Sequence, residues 1–255
     1  MAFYFAQFLT GLASASSLFL VAAGLSIIFG VTRIVNFAHG SLFMLGAFIA
    51  YSVSQHTSFW LAVPMAAIAV GAIGWCMERG VLRKLYAAPE LFQLVATFGL
   101  VLIIQDAALC IWGPTDLLGP RAPGLEGVVR IFGEPIPEYD LFLITIGLVV
   151  LAATWWTFKR TRFGILVRAA TEDREMLQAL GVRPSTLFQA TFFIGAAVAG
   201  LGGALELPRQ PANLMMDLNI IAEAFVVVVI GGMGSIVGAF LAALLISQLN
   251  AFGIL

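Results

Sequence analysis

Long stretches without any charged side chain constrain this chain more than any other feature of its sequence. An apolar run of about 18 residues is long enough to cross a bilayer as a helix. Hydrophobic residues make up 61% of the chain and charged residues 11%, against about 25% charged residues in a soluble domain. The sequence therefore predicts a polytopic membrane protein and excludes a soluble enzyme, a nucleic-acid-binding protein and a disulfide-stapled secreted domain. The charge-free stretches are 1–32, 34–77, 141–158, 184–205 and 224–255.

Seven apolar segments are predicted to span the membrane, and all of them are expected to be helical. Backbone N–H and C=O groups find no hydrogen-bonding partner in lipid, and no alternating pattern indicates a barrel. The predicted fold class is all-α, a polytopic transmembrane helical bundle with discontinuous helices, in a single domain over 1–255. The predicted spans are 6–30, 37–54, 59–77, 92–112, 141–158, 186–205 and 219–249.

Two of these segments are expected to be discontinuous. A polar group at 36–41 interrupts the second segment and leaves only 42–54 as an apolar piece, and a glycine-rich group at 231–235 breaks the last one. Apolar segments interrupted by glycine at two distant places point to broken helices around a substrate path. The polar side chains at the first break either line a cavity or cap the break locally. The candidates for a translocation pathway are Asn36, His39, Gly40, Ser41, Gly231, Gly232, Gly234 and Ser235.

The distribution of Lys and Arg predicts the orientation of the chain in the membrane. With the N-terminus outside, ten of the thirteen basic residues lie in inside connections, and only Arg121, Arg130 and Arg209 lie outside. Cytoplasmic connections carry the excess of basic residues, so this orientation is favoured. Residues 113–140 then form an outside loop, whose proline density indicates turns instead of regular elements. This loop is either a docking surface for an external partner or a plain connector.

The cytoplasmic segment 159–185 contains a predicted short helix within 171–184. Thr171 is the predicted N-cap and Gly181 the predicted C′ residue. The apolar residues at 176, 177 and 180 are expected to share one face. This helix either rests against its own bundle or acts as a coupling helix that fits a groove on a cytosolic motor subunit. In the second case the coupling residues are Glu172, Asp173, Met176, Leu177, Leu180 and Gly181.

Several kinds of chemistry have no support in the sequence. The chain has no phosphate-binding loop, so we do not expect it to hydrolyse ATP itself, and it has no zinc-protease or nucleophile-elbow motif. No catalytic residue, metal or cofactor is predicted, and Cys76 and Cys110 are interpreted as small hydrophobic residues. Asp106 and Glu223 are the remaining ionisable candidates within predicted spans. Each has either a pathway role or a structural role in the bundle.

Three stretches of the chain resemble the signatures of the branched-chain amino-acid permeases of bacterial ABC transporters. The first is the run 24–47, which contains Asn36-Phe37-Ala38-His39-Gly40. The second is the inside stretch 168–182, and the third is the glycine motif at 231–239. Their order and spacing agree over essentially the whole chain. The Asn-Phe-Ala-His-Gly signature is rather specific, whereas a glycine-rich membrane segment alone would not be.

The resemblance implies a permease subunit in the bacterial inner membrane that works by alternating access. Its solutes would be leucine, isoleucine and valine, or urea, amides and other small solutes. The implied partners are cytosolic ABC ATPase subunits, a second permease subunit that forms a heterodimer, and a periplasmic substrate-binding protein. The chain itself would not be an enzyme, because ATP would be hydrolysed in the partner.

Two further expectations follow from the sequence and the resemblance. Members of the family usually continue with a further span and a short basic tail, so the resemblance predicts that a C-terminal span is missing after 251–255. The alternative function is a stand-alone secondary transporter or channel driven by a gradient, in which Asp106 or Glu223 would couple an ion. The sequence does not name the solute or the side chains that face it.

Overall fold

The structure is a computed structural model that describes residues 2–86, 88–131 and 133–253. Within these ranges the chain forms α-helices connected by short turns, one π-helical turn and one β-hairpin. The π-helical turn Glu78–Leu82 joins α3 to α4 without a break. The helices are α1 Ala2–Thr32, α2 Ala38–Ser54, α3 Phe59–Met77, α4 Arg83–Leu85, α5 Glu90–Trp112, α6 Glu138–Arg160, α7 Arg162–Glu172, α8 Arg174–Ala179, α9 Pro184–Glu206, α10 Met216–Gly231 and α11 Ile236–Gly253, and the strands are β1 Val128–Ile131 and β2 Glu134–Pro137.

The predicted all-α bundle is confirmed. Among the described residues, six helices are long and apolar enough to cross a membrane, and α2 is apolar but shorter, with 17 residues. Helices satisfy their backbone hydrogen bonds internally, which is what a charge-free segment needs in lipid. The six long helices are Ala2–Thr32, Phe59–Leu85, Glu90–Trp112, Glu138–Arg160, Pro184–Glu206 and Ile236–Gly253.

The outside loop contains regular structure that its proline content did not predict. Strands β1 and β2 pair antiparallel, with Val128 opposite Pro137 and Ile131 opposite Glu134. A two-stranded hairpin tolerates proline because each strand has an edge at which a missing N–H costs nothing. Helix α6 then begins at Glu138, three residues before the predicted start at 141.

Helix α1 is the central helix of the bundle. It packs against α6, α9, α10 and α11, and every residue from 15 to 28 is buried. A helix that is apolar on all sides is expected to lie in the interior of a bundle. Small residues allow the neighbouring backbones to approach closely. A Cβ on Gly24 would collide with the carbonyl of Gly195 in α9, and a Cβ on Gly46 of α2 with that of Gly200.

The first helix break lies earlier in the chain than predicted. Helix α1 ends at Thr32, and Arg33 has a left-handed backbone conformation with φ of 55°. The side chain of Asn36 accepts a hydrogen bond from the N–H of Ala38, the first residue of α2, at 3.1 Å, and Phe37 is the N-cap position of this helix. Residues 33–37 are therefore the break, and the polar residues at 39–41 lie inside the first turn of a helix.

The second break is confirmed at the predicted glycines. Gly232 and Gly234 have φ values of 86° and 89°, which glycine adopts without strain. The hydroxyl of Ser235 accepts the N–H of Gly238 at 3.1 Å and caps the start of α11. A Cβ on Gly234 would lie 3.1 Å from the Cα of Gly30 in α1. The turn therefore packs directly against the end of α1.

Replacing Gly234 by Ala is expected to destabilise this turn by about 1–2 kcal/mol. A side chain at φ of 89° is strained, and its Cβ presses on Gly30. The thermal unfolding of the purified protein in detergent measures the effect as a lowered Tm. Gly99→Ala is the matched control, because Gly99 lies in α5 with open space around it. An equal Tm for the two variants would contradict the assignment.

Connections predicted to share one side of the membrane lie together at one end of the bundle. Val31 at the end of α1 packs with Val167 of α7 and Phe188 of α9 in one apolar cluster. At the opposite end the N–H of Leu117 donates to the carbonyl of Ala212 at 2.9 Å, which joins the outside loop to the α9–α10 connection. We call these the inner end and the outer end, following the orientation that the basic residues predict.

Candidate functional site

A polar cavity of about 430 Å³ lies between α1, α10, α11 and the α9–α10 connection, towards the outer end. Its volume is in the range of small-molecule binding sites. We call it the outer cavity. Its uncharged polar lining consists of Gln7, Thr10, Ser14, Ser17, Gln210, Asn213, Asn219, Ser247 and Asn250, and its larger apolar lining residues are Leu18, Phe43, Met216 and Ile220.

Arg209 is the basic residue in the lining of the outer cavity. Its Nε lies 3.6 Å from Oδ1 of Asp140 in α6, and its Nη1 lies 3.7 Å from Oε1 of Glu206 at the end of α9. Its Nη2 donates to the hydroxyl of Ser14 in α1 at 3.2 Å. One guanidinium thus connects three membrane helices at the outer end.

Two carboxylates line the same cavity, and they differ in their partners. Glu206 is nearly fully buried. Its Oε1 accepts a hydrogen bond from Nε2 of Gln210 at 2.9 Å, and its Oε2 accepts one from the hydroxyl of Ser17. Glu223 of α10 is exposed to the cavity and forms no hydrogen bond or ion pair with any residue in the described ranges. Ionisable residues within membrane proteins are expensive and usually functional, so Glu223 is a candidate for contact with a solute.

A second cavity of about 550 Å³ lies at the inner end, and we call it the inner crevice. Ser26 and Gly30 of α1 line it together with Gly234 and Ser235 of the α10–α11 turn. Lys159 and Arg168 are its charged lining residues, and both are positive. The remaining lining residues are Ile27, Val31, Trp155, Phe158, Val167, Met233, Ile236 and Val237.

A layer of tightly packed side chains separates the two cavities. Helix α1 lines the outer cavity with Leu18 and the inner crevice with Ser26, positions about 12 Å apart at the rise of an α-helix. Between them, Phe19 packs edge-on against Phe240 of α11, with ring centroids 5.2 Å apart. Packed side chains of α1 and α11 therefore lie between the outer cavity and the inner crevice.

One of the predicted pathway residues, Ser41, forms a polar contact between helices, and its neighbour Gly40 packs closely against the same residue of α10. The hydroxyl of Ser41 in α2 donates to Oδ2 of Asp217 at 3.0 Å, and Nε2 of Gln105 in α5 donates to Oδ1 of the same residue at 2.9 Å. A Cβ on Gly40 would collide with the backbone carbonyl of Asp217. Asp217 is therefore the point at which α2, α5 and α10 are held together.

Asn36 and His39 are both fully buried, and neither lines the two cavities. Nε2 of His39 lies 3.1 Å from the carbonyl oxygen of Val21 in α1. Nδ1 of His39 and Nδ2 of Asn36 have no hydrogen-bonding partner among the residues that the structure describes. Their contribution to a solute path stays a prediction, and the contact of His39 with Val21 fastens α2 to α1.

The predicted residues of the glycine-rich group at 231–235 lie either at the end of α10 or in the lining of the inner crevice. Gly231 is the last residue of α10 and Gly232 follows it as the C-cap, whereas Gly234 and Ser235 line the inner crevice. The structure thus brings Gly40 and Ser41 to the α2–α10 contact and Gly234 and Ser235 to the inner crevice, whereas the other predicted pathway residues lie at neither place.

The predicted coupling helix is shorter than expected and is preceded by another helix. Glu172 ends α7, so Thr171 is a helical residue rather than an N-cap. The carboxylate of Asp173 accepts the N–H of Met176 at 2.9 Å and starts α8 two residues later than predicted. Gly181 has φ of 80° and is confirmed as the C′ residue.

The apolar residues of α8 and its C-cap have different surroundings. Leu177 is only 5% exposed and packs in the inner cluster with Val31 and Phe188. Met176 is 64% exposed and Leu180 is 72% exposed. The three residues therefore do not share a face, and only Met176 and Leu180 are available to another protein.

Three residues at the outer cavity and at the α2–α10 contact were not predicted as site residues, namely Glu206, Arg209 and Asp217. Each lies at or near the end of a predicted span, where an ionisable residue is interpreted as the boundary between the span and its connection. A signal was present in α1, where polar side chains recur every three or four residues and so fall on one face of the helix. These residues are Gln7, Thr10, Ser14 and Ser17, and all line the outer cavity.

A bundle of membrane-length helices with a polar, charged cavity between them defines a multi-pass membrane transport protein. The chain belongs to the family described as the permease component of branched-chain amino acid transport systems, which it matches over residues 7–255. It is therefore a transport subunit and not an enzyme.

Three relatives show the extent of the similarity. The chain is 31% identical to the high-affinity branched-chain amino acid transport system permease protein BraD of Pseudomonas aeruginosa, over 98% of this chain and 86% of BraD. It is 26% identical to the permease protein LivH of Salmonella typhimurium, over 98% of this chain and 85% of LivH. It is 25% identical to the permease protein LivM of the same organism, over 88% of this chain and 58% of LivM. No solved structure matches the chain.

Proposed function

We propose that the chain is the permease subunit of an ATP-driven importer that moves branched-chain amino acids or related small solutes across the bacterial inner membrane by alternating access. The observation that carries the mechanism is the pair of cavities on either side of the Phe19–Phe240 contact. In this proposal, a solute that enters the outer cavity reaches the inner crevice when α1 and α11 move apart at that contact. The names of BraD, LivH and LivM support the solute class.

The proposed ATPase contact is the exposed apolar surface of Met176 and Leu180 at the inner end. Leu177 between them packs against Val31 of α1 and Phe188 of α9. A displacement of α8 would therefore also displace the inner ends of α1 and α9, against which it packs. Coupling requires contacts that differ between two states, and ATP binding in the partner would supply that difference.

A second permease subunit is the proposed partner of α5. Asp106 lies on the exposed face of this helix, among the exposed side chains of Ile103 and Leu109. A carboxylate that faces hydrocarbon is costly, and a partner subunit that offers it a hydrogen-bond donor would lower that cost. The same position argues against Asp106 as an ion-coupling residue of a gradient-driven transporter, because it does not line the outer cavity.

A periplasmic binding protein is the proposed partner of the outside loop. This loop carries the hairpin of β1 and β2 and the side chain of Leu118, which is exposed. It joins the α9–α10 connection through Leu117 and Ala212. That connection lines the outer cavity with Arg209 and Gln210, so docking on the loop would act next to the cavity.

Uptake of labelled leucine into proteoliposomes tests the proposed function. The complete complex, with its ATPases, second permease and binding protein, is reconstituted with ATP inside the vesicles. We expect leucine uptake that needs both ATP and the binding protein and that persists when ionophores collapse all ion gradients. Uptake through this chain without an ATPase, abolished by ionophores, would instead support the gradient-driven transporter.

A further inference from the structure

The outer cavity contains more negative than positive charge. Asp140 and Glu206 both pair with Arg209, so these two carboxylates share one guanidinium. Glu223 is the second carboxylate of the lining besides Glu206, and Asp140 lies outside it, while no further Lys or Arg belongs to the described lining. The three ionisable side chains of the lining therefore carry a formal charge of about −1 when all are ionised. A cavity of this kind favours a solute with a positive group.

Glu223 is the carboxylate that is left without a partner. The oxygens of Glu206 are occupied by Ser17 and Gln210, whereas Glu223 forms no hydrogen bond or ion pair with any described residue. An ionised carboxylate inside a bundle is stabilised by a charged hydrogen-bonding partner. Since Glu223 is exposed to the cavity, that partner can come from the solute.

The rest of the lining matches the other parts of an apolar amino acid. Amide side chains in the lining, such as Asn219 and Asn250, can donate hydrogen bonds to a carboxylate. Leu18, Phe43 and Ile220 provide an apolar wall for an aliphatic side chain. The cavity thus offers an acceptor for an ammonium group, donors for a carboxylate and contact for a hydrocarbon chain.

We propose that Glu223 binds the ammonium group of the transported solute, and that the outer cavity thereby selects α-amino acids over acids and amides of the same shape that lack the amino group. This assignment rests on the proposed function and names the residue that sets its solute class. The ammonium donates charge-assisted hydrogen bonds to the carboxylate of Glu223, and no covalent step is involved.

Glu223→Gln and Glu223→Asp test this assignment in the reconstituted complex. The Gln variant keeps the shape of the side chain and removes its charge, so we expect kcat/KM for leucine uptake to fall by about 10- to 100-fold. The Asp variant keeps the charge and is expected to retain a larger part of the activity. Lys84→Gln, which likewise replaces an exposed charged side chain by an amide but lies in α4, is the matched control and is expected to transport as the wild type does.

A second measurement separates recognition from folding. In the detergent-solubilised complex without binding protein, leucine is expected to raise the Tm of the wild type, whereas isocaproate, which is leucine without its amino group, is not. In Glu223→Gln the two compounds should have equal effects, with the Tm of the ligand-free complex unchanged. Wild-type uptake by Glu223→Gln, or a Tm shift by leucine that the substitution leaves intact, would overturn the assignment. Failure of the proposed function itself has another signature, the absence of ATP-dependent uptake by the wild type.

Discussion

Loss of ATP-driven uptake is the expected result of replacing Met176 and Leu180 together by Asp. Both apolar side chains are mostly exposed at the inner end, and they lie four residues apart, on one side of α8 and its C-cap. An anchor residue of a protein interface contributes about 2 kcal/mol or more. We therefore expect the double variant to bind its ATPase at least about 100-fold more weakly, measured by co-purification and by uptake in proteoliposomes.

Two controls distinguish coupling from folding. Leu118→Asp places a carboxylate on an equally exposed apolar residue at the outer end and is expected to leave ATPase binding unchanged. Leu177→Asp buries a carboxylate in the apolar cluster that Leu177 forms with Val31 and Phe188 at the inner end. It is therefore expected to lower the Tm of the bundle. A double variant at Met176 and Leu180 that keeps its ATPase and transports normally would contradict the coupling assignment.

Elements that depend on local sequence were predictable. The charge-free stretches predicted the helices, because a span in lipid must satisfy its own backbone. The break at Gly232 and Gly234 was predictable because glycine is the residue that adopts positive φ values without strain, and both residues have such values in the structure. The predicted first break lies too late in the chain, because α2 already begins at Ala38 and nothing in the composition of 36–41 distinguishes the first turn of a helix from a break.

The outer cavity was not predictable, because its charges come from different parts of the chain. Arg209 meets Asp140 of α6 and Ser14 of α1 only after the helices have packed. In the sequence alone, Arg209 counts as a basic residue in an outside connection. Glu223 was identified as a candidate, but its lack of a partner and its position in the cavity depend on the packing of α10 against its neighbours.

The second large effect is expected from Arg209→Met at the outer end. This substitution keeps much of the side-chain volume but removes the cation that pairs with Asp140 and Glu206. Removing one partner of a buried ion pair leaves an uncompensated charge, which costs about 3 kcal/mol or more. We expect a clearly lowered Tm in detergent and a loss of folded protein in the membrane. Arg121→Met, an exposed arginine of the outside loop, is the matched control and should unfold as the wild type does.

Neutralising the two carboxylates together with the arginine separates charge from shape. The triple variant Arg209→Met, Glu206→Gln and Asp140→Asn has no unpaired charge in this group, and Gln at 206 can still hydrogen-bond with Ser17 and Gln210. We therefore expect it to recover most of the stability that Arg209→Met loses, because burying neutral polar groups that are hydrogen-bonded costs far less than burying unpaired charges. If the triple variant were as unstable as the single one, the loss would come from the packing of the Arg209 side chain and not from its charge. Recovered stability without recovered uptake would show that the charges of this group serve transport as well as folding.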